Sequence, residues 1–132
     1  MEKARIFVAN DDKDLLDLMK ALLEDEGYSI ETLKSAGNAY KEIAEYLPDL
    51  LILDIMLDNE GSGWLVLEKV KLNPKTIHIP VIICSGAVKE VRDSADRLQR
   101  MGCFIIEKPF SIYELLAAVS QALSSGQPPT AY

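Results

Sequence analysis

With 132 residues, 48% of them hydrophobic and 27% charged, the chain has the make-up of one globular domain that buries a core without a disulfide or structural metal. Its formal net charge of −7 argues against nonspecific binding to nucleic acid or an anionic membrane, which both need a basic face; proteins or cations are the expected partners. No apolar run approaches the roughly twenty residues of a membrane span, and the few apolar residues after Arg5 are too short for a signal sequence, so a cytoplasmic location is expected.

Ile6-Phe7-Val8-Ala9 is a short apolar run stopped by Asn10-Asp11-Asp12, a first strand ending in acids. Leu15, Leu18, Met19, Leu22 and Leu23 then recur at helical spacing, with Asp12 or a neighbour as cap, Asp14 near the positive end and Gly27 closing the helix. Tyr28 to Leu33 alternates as a strand should. Ser35 is placed as the cap of a second helix whose inner face is Ala36, Ala39, Tyr40, Ile43 and Leu47, and Pro48 ends it. Leu50-Leu51-Ile52-Leu53 is an apolar strand that runs straight into Asp54. Trp64, Leu67 and Val70 mark a third helix, ending around Asn73-Pro74. Pro80 to Cys84 is a fourth strand, halted by Ser85-Gly86. Val88, Val91, Ala95, Leu98 and Met101 mark a fourth helix closed by Gly102. Phe104-Ile105-Ile106 is the last strand, ended by Glu107-Lys108-Pro109. Ser111 and Glu114 then form a capping box for a helix carrying Leu115, Leu116, Val119 and Leu123. Cys84 and Cys103 have neither metal nor redox spacing and read as buried thiols; His78 reads as a loop residue. A domain over residues 1–124 is expected, with linker composition over residues 125–132 marking a flexible tail or the start of a linker.

Five strands alternating with five helices predict an α/β fold with a doubly wound parallel sheet, flavodoxin-like. The apolar runs make strands one, three, four and five central and the alternating strand two an edge. The order 2-1-3-4-5, standard for doubly wound folds of this class, satisfies this. A parallel sheet gathers the carboxyl ends of its strands, and here those ends carry Asn10-Asp11-Asp12, Asp54, Ser85 and Lys108. Crowded carboxylates repel one another unless a cation sits among them, and hard oxygen ligands favour Mg²⁺. Lys108 is a point charge suited to phosphate, and Ser85 offers a hydroxyl. Among such groups Asp54 could attack phosphorus and become an acyl phosphate.

Val8-Ala9-Asn10-Asp11-Asp12, Leu51-Ile52-Leu53-Asp54-Ile55-Met56-Leu57, Pro80-Val81-Ile82-Ile83-Cys84-Ser85-Gly86 and Lys108-Pro109-Phe110 occur in that order. Together they resemble the receiver domain of bacterial two-component response regulators of the single-domain, chemotaxis-regulator kind, from about Ile6 to Leu123. The resemblance implies that Asp54 is the phosphoacceptor. It implies a Mg²⁺ site of Asp11, Asp54 and the Met56 backbone carbonyl, with Asn10 acting through a water. It implies that Ser85 and Lys108 are the switch hydroxyl and the phosphate-binding lysine, that Ile105 stands at the switch position, and that the Lys108–Pro109 bond is cis. Donors would be a sensor histidine kinase or a phosphotransfer protein. A downstream protein would bind the face of helix four, strand five and helix five, with no role for nucleic acid or membrane.

The chain departs from the family pattern at Asn10, usually an acid, and at Ile105, usually an aromatic residue. The loop after Asp54 lacks the usual proline, and its glycine, Gly63, comes one residue late. Met56 and Ala87 bring no polar group to orient an attacking water, so a slowly hydrolysing acyl phosphate is expected. The alternative is a degenerate receiver that binds partners without phosphorylation. A haloacid-dehalogenase phosphatase would need Asp-x-Asp-x-Thr after the first strand, and Asp12-Lys13-Asp14 continues into Leu15-Leu16 instead. A flavodoxin would need a hydroxyl-rich loop at Asn10-Asp11-Asp12. Assisting its own phosphorylation and dephosphorylation is the only catalysis expected, so the chain does not read as an enzyme.

Overall fold

The apolar runs form five strands in the computed structural model, which describes residues 3–35, 37–57, 62–86 and 92–125. They are β1 (Arg5–Ala9), β2 (Ser29–Leu33), β3 (Leu50–Leu53), β4 (Val81–Ser85) and β5 (Cys103–Glu107). All pair in parallel, in the order β2-β1-β3-β4-β5. Parallel neighbours need crossovers. Among the described residues these contain α1 (Lys13–Asp25), α2 (Ala39–Tyr46), α3 (Ser62–Leu72), α4 (Ala95–Arg100) and α5 (Ile112–Ser125).

Period-two alternation splits the sheet into two buried faces. Phe7, Ala9, Leu51, Leu53, Val81 and Ile83 pack with Ala39, Ile43, Val66, Leu67, Val70 and Leu98 of α2, α3 and α4. Ile6, Val8, Leu50, Ile52, Ile82, Cys84, Phe104 and Ile106 pack with Leu16, Met19, Leu23, Leu115, Val119 and Ala122 of α1 and α5. Each fully buried aliphatic side chain contributes roughly 1.5–3 kcal/mol. Ala9 lies beside Leu53 of β3 and Leu33 of β2, and Leu53 beside Ile83 of β4, so the strand ends stand level.

Caps form where the sequence carries the matching pair of groups. Asp12 accepts the Leu15 N–H at 3.2 Å and caps α1. Ser111 and Glu114 close the capping box of α5: the Glu114 N–H donates to Ser111 Oγ at 3.1 Å, and the Ser111 N–H to Glu114 Oε1 at 3.4 Å.

Several expectations need correction. α2 begins at Ala39 behind Asn38, not behind Ser35. Leu47 is not on its inner face; it caps the helix in the left-handed conformation (φ 49°), with its side chain exposed. In α1 the buried row is Leu16, Met19 and Leu23, and Leu18 is exposed. The leucine-rich segment allows two helical phases, and packing against β1 and β3 chooses one. β5 is not central but the second edge: α5 covers Phe104 and Ile106, while Ile105 and Glu107 are half-buried. Ala36, Asp58, Ala87, Val88 and Val91, like the tail over residues 126–132, lie outside the described residues.

Thr76, fully buried in the connection between α3 and β4, joins this connection to α3 and α2. Its hydroxyl donates to the Val70 carbonyl at 2.8 Å. The Tyr40 hydroxyl lies 3.3 Å from Thr76 Oγ1, and as the threonine proton is already committed, tyrosine is the donor. Thr76→Val preserves shape but removes both bonds, and should lower stability by about 1–3 kcal/mol. A fall in the urea midpoint at unchanged slope checks this; Tyr40→Phe, which spares the Val70 bond, should lower it less.

Candidate functional site

Asp54 follows β3 directly, and its N–H donates to the Ala9 carbonyl at 3.0 Å, tying the ends of β3 and β1. Its side chain is only 6% exposed, against 25% for Lys108. Both carboxylate oxygens have partners. The Met56 N–H donates to Oδ1 at 2.9 Å, and Lys108 Nζ donates to Oδ2 at 3.3 Å. Lys108 follows β5, two strands from β3, so its side chain reaches past β4. There it passes Gly86: a Cβ built on that glycine would lie 3.8 Å from Lys108 Cδ.

At the end of β1, Asn10 is buried and Asp11 half-buried. The Asn10 N–H donates to the Leu33 carbonyl at 3.0 Å, and its Oδ1 accepts the Asp12 N–H at 2.9 Å. The amide thus holds the turn that leads from β1 into α1. Asp12 is exposed and occupied as the α1 cap. Ser85 ends β4 opposite Glu107 of β5; its side chain lies outside what is described. Ile105 packs at the margin of the α2–α3–α4 face, whereas Phe104 points to the α1–α5 face. The ring beside position 105 is thus on the wrong side of the sheet to replace an aromatic there. The Lys108–Pro109 bond is cis.

Two contacts at the site could not be read from the sequence, although it singles out Gly63 as the late glycine of the loop. One is the Met56 N–H on the carboxylate. The other is the seat of Gly63: a Cβ there would fall 2.2 Å from the Asp54 carbonyl oxygen and 2.7 Å from Ile55 Cα. The first turn of α3 therefore rests directly on the backbone of the acidic residue. The next residue, Trp64, has the Arg97 guanidinium 4.8 Å from its ring centre, and Arg97 also pairs with Glu68 at 3.0 Å. That cluster joins α3 to α4.

Cys84 and Cys103 are free and buried. Burial pushes the Cys84 thiol from an ordinary 9.0 to about 12, with the Lys108 ammonium pulling it down and the Asp54 carboxylate pushing it up. Burial likewise raises Cys103 to about 11, opposed by Lys71. Both pKa values are higher folded than unfolded, so their contribution to stability is whole below pH 9.0 and is lost as pH climbs through about 11 and 12. Neither thiol should alkylate with iodoacetamide at pH near 8 until urea unfolds the chain, as peptide mass mapping would show.

The family model described as "Response regulator receiver domain" covers residues 6–120. The chain belongs to that family. The receiver is 32% identical over 120 residues to the nitrogen assimilation regulatory protein NtrX of Azorhizobium caulinodans, covering 91% of this chain and 26% of that one. It is also 32% identical over 124 residues to the phosphate regulon transcriptional regulatory protein PhoB of Rhizobium meliloti, covering 94% and 54%. The crystal structure of the receiver domain of NtrX from Brucella abortus superposes with a TM-score of 0.79 at 31% identity, covering 91% of this chain and 98% of that one. This receiver thus spans about a quarter to a half of the length of the curated relatives it matches.

Receiver domains generally bind Mg²⁺ at an acidic pocket and work with histidine kinases and downstream effectors. Among the described residues no three His, Cys, Asp or Glu side chains converge on one metal position. Two carboxylates and a backbone carbonyl would leave the other ligand places to water and a phosphoryl oxygen, which Mg²⁺ prefers. Among the described residues no helix is long and apolar enough to cross a membrane.

Proposed function

We propose that Asp54 accepts a phosphoryl group from a phosphohistidine, in a sensor histidine kinase or phosphotransfer protein, and that the resulting acyl phosphate switches a protein-binding surface. The observation that carries this reading is the Asp54 carboxylate held between the Met56 N–H and the Lys108 ammonium, at the edge where the buried strands end. A carboxylate oxygen attacks phosphorus, the P–N bond breaks, and its electron pair returns to the imidazole of the donor. Lys108 then exchanges its contact with Oδ2 for one with a phosphoryl oxygen, offsetting charge as it develops. Asp11, Asp54 and the Met56 carbonyl would hold Mg²⁺, with Asn10 acting through a water; the ion supplies electrostatic stabilisation of the transferring group. Ser85 is assigned as the switch hydroxyl and Ile105 as the switch position.

The receiver unit is taken as residues 1–124 in a cytoplasmic protein, with 125–132 as tail or linker. Its output surface is the α4–β5–α5 face, where Arg92 pairs with Glu107 at 3.2 Å and Ile112 and Tyr113 stand exposed. Because the Met56 thioether cannot hold an attacking water, the acyl phosphate should outlast seconds at neutral pH. Following its loss by intact mass checks this, and decay within seconds would contradict it.

A second reading, a receiver that binds partners without phosphorylation, draws on Asn10, whose Oδ1 is taken up by the Asp12 N–H, and on the aliphatic Ile105. Trp64, the one tryptophan, separates the two readings because its neighbour Gly63 rests on the Asp54 backbone. Beryllofluoride with Mg²⁺ should change Trp64 fluorescence saturably, and chelation of the metal should reverse it. A flat titration favours the second reading.

A further inference from the structure

We propose that the groove between α2 and α3 docks an acidic amphipathic helix of a partner protein. The groove has a volume of about 280 Å³; Tyr40 and Val66 contribute to its lining, and Lys41 and Lys69 stand at it. Leu65 of its α3 wall is 61% exposed, and Leu72, seven residues on along the same helical face, is 80% exposed. Single exposed leucines are ordinary. Leu65 lines the groove, and Leu72 extends the same exposed apolar face of α3 two turns beyond it, the kind of surface on which the apolar face of an amphipathic helix docks.

Charge selects the occupant. The chain carries a net −7, yet among the described residues no carboxylate lines this groove. Neither Lys41 nor Lys69 takes part in an ion pair among the described residues. The described acids nearest to them in the chain face elsewhere. Glu68 turns to Arg97 of α4. Glu42 and Glu45 line a separate groove with Arg5 and Glu31. A trough lined by Tyr40, Leu65 and Val66, with two ammonium groups that no described carboxylate pairs, complements leucines flanked by carboxylates. A polyanion such as nucleic acid would gain the two lysines but meet the acidic remainder of the surface.

The test is an amide NMR titration of the ¹⁵N-labelled full chain with a short synthetic helix bearing leucines on one face and glutamates on its flanks. A matched peptide with lysines in place of the glutamates is the control. The acidic peptide should shift the amides around Tyr40, Leu65 and Lys69 saturably, and the basic one should bind at least about tenfold more weakly. The double variant Lys41→Glu with Lys69→Glu should reverse that preference, and Leu65→Ser should weaken binding about tenfold. All three positions are exposed, so the variants should keep the wild-type far-ultraviolet spectrum. Equal binding of the two peptides, no saturable shift, shifts centred on Leu18 or Tyr113, or self-association through this face without peptide would each overturn the proposal.

Discussion

Asp54→Asn is expected to cut phosphoryl incorporation from acetyl phosphate by more than about a hundredfold while leaving the fold intact. The carboxamide oxygen can still accept the Met56 N–H, so the turn after β3 keeps its anchor. What disappears is the nucleophile. The contact with Lys108, at 3.3 Å, is longer than a strong charge-assisted bond, so losing it should change stability by only about 1 kcal/mol. Lys108→Ala is the informative companion. It keeps the nucleophile but removes the only side-chain cation paired with it among the described residues, and should slow incorporation by about tenfold to a hundredfold without abolishing it. Intact mass after incubation with acetyl phosphate and Mg²⁺ reads both. An Asn variant that still gains phosphoryl mass would place the acceptor elsewhere.

Gly63→Ala is expected to be the most damaging single-methyl change near the site. The added carbon would sit 2.2 Å from the Asp54 carbonyl oxygen, 2.7 Å from Ile55 Cα and 2.8 Å from the Ile55 carbonyl oxygen, all backbone atoms that no rotamer change can clear. Either α3 lifts off the sheet or the Asp54–Ile55 backbone moves, at a cost of about 2–3 kcal/mol. Either movement disturbs the Met56 N–H that orients the carboxylate, so phosphorylation should slow as well. Gly86→Ala is the control, since its Cβ meets only the flexible Lys108 side chain at 3.8 and 3.9 Å. It should change stability by under about 1 kcal/mol. Urea midpoints of the two variants measure the difference, and equal midpoints would show that α3 is not seated on the acceptor backbone.

How much of this was legible in the sequence depended on whether the signal was local. The strands were legible because runs such as Leu50 to Leu53 are apolar on both faces and too short for helices. The Asp12 cap and the Ser111–Glu114 box were legible because each needs residues only three apart. The gathering of Asp54 and Lys108 followed from parallel topology, which levels the strand ends whatever the side chains. Choices set by packing were not legible. The leucines of α1 fit two phases, and the sheet buries Leu16 rather than Leu18. The start of α2 moved past Ser35 to Asn38. β5 has the apolar run of a central strand but lies at the edge, with Phe104 and Ile106 under α5 and Ile105 only half-buried on the opposite face. The Tyr40–Thr76 bond joins residues 36 apart, and nothing in either neighbourhood marks it. The late glycine of the Asp54 loop is a further case. Its place one residue late was legible, whereas its seat at the helix start, hard against the Asp54 backbone, was not.

Acyl phosphates are reduced by borohydride to the corresponding alcohol, which writes the acceptor's position into the sequence. The chain would be incubated with acetyl phosphate and Mg²⁺, reduced, digested and mapped by mass spectrometry. Homoserine at position 54 alone, and only when Mg²⁺ is present, is the expected result. An unreduced Asp54, or homoserine at Asp11 or Asp12 instead, would contradict its role as the phosphoacceptor.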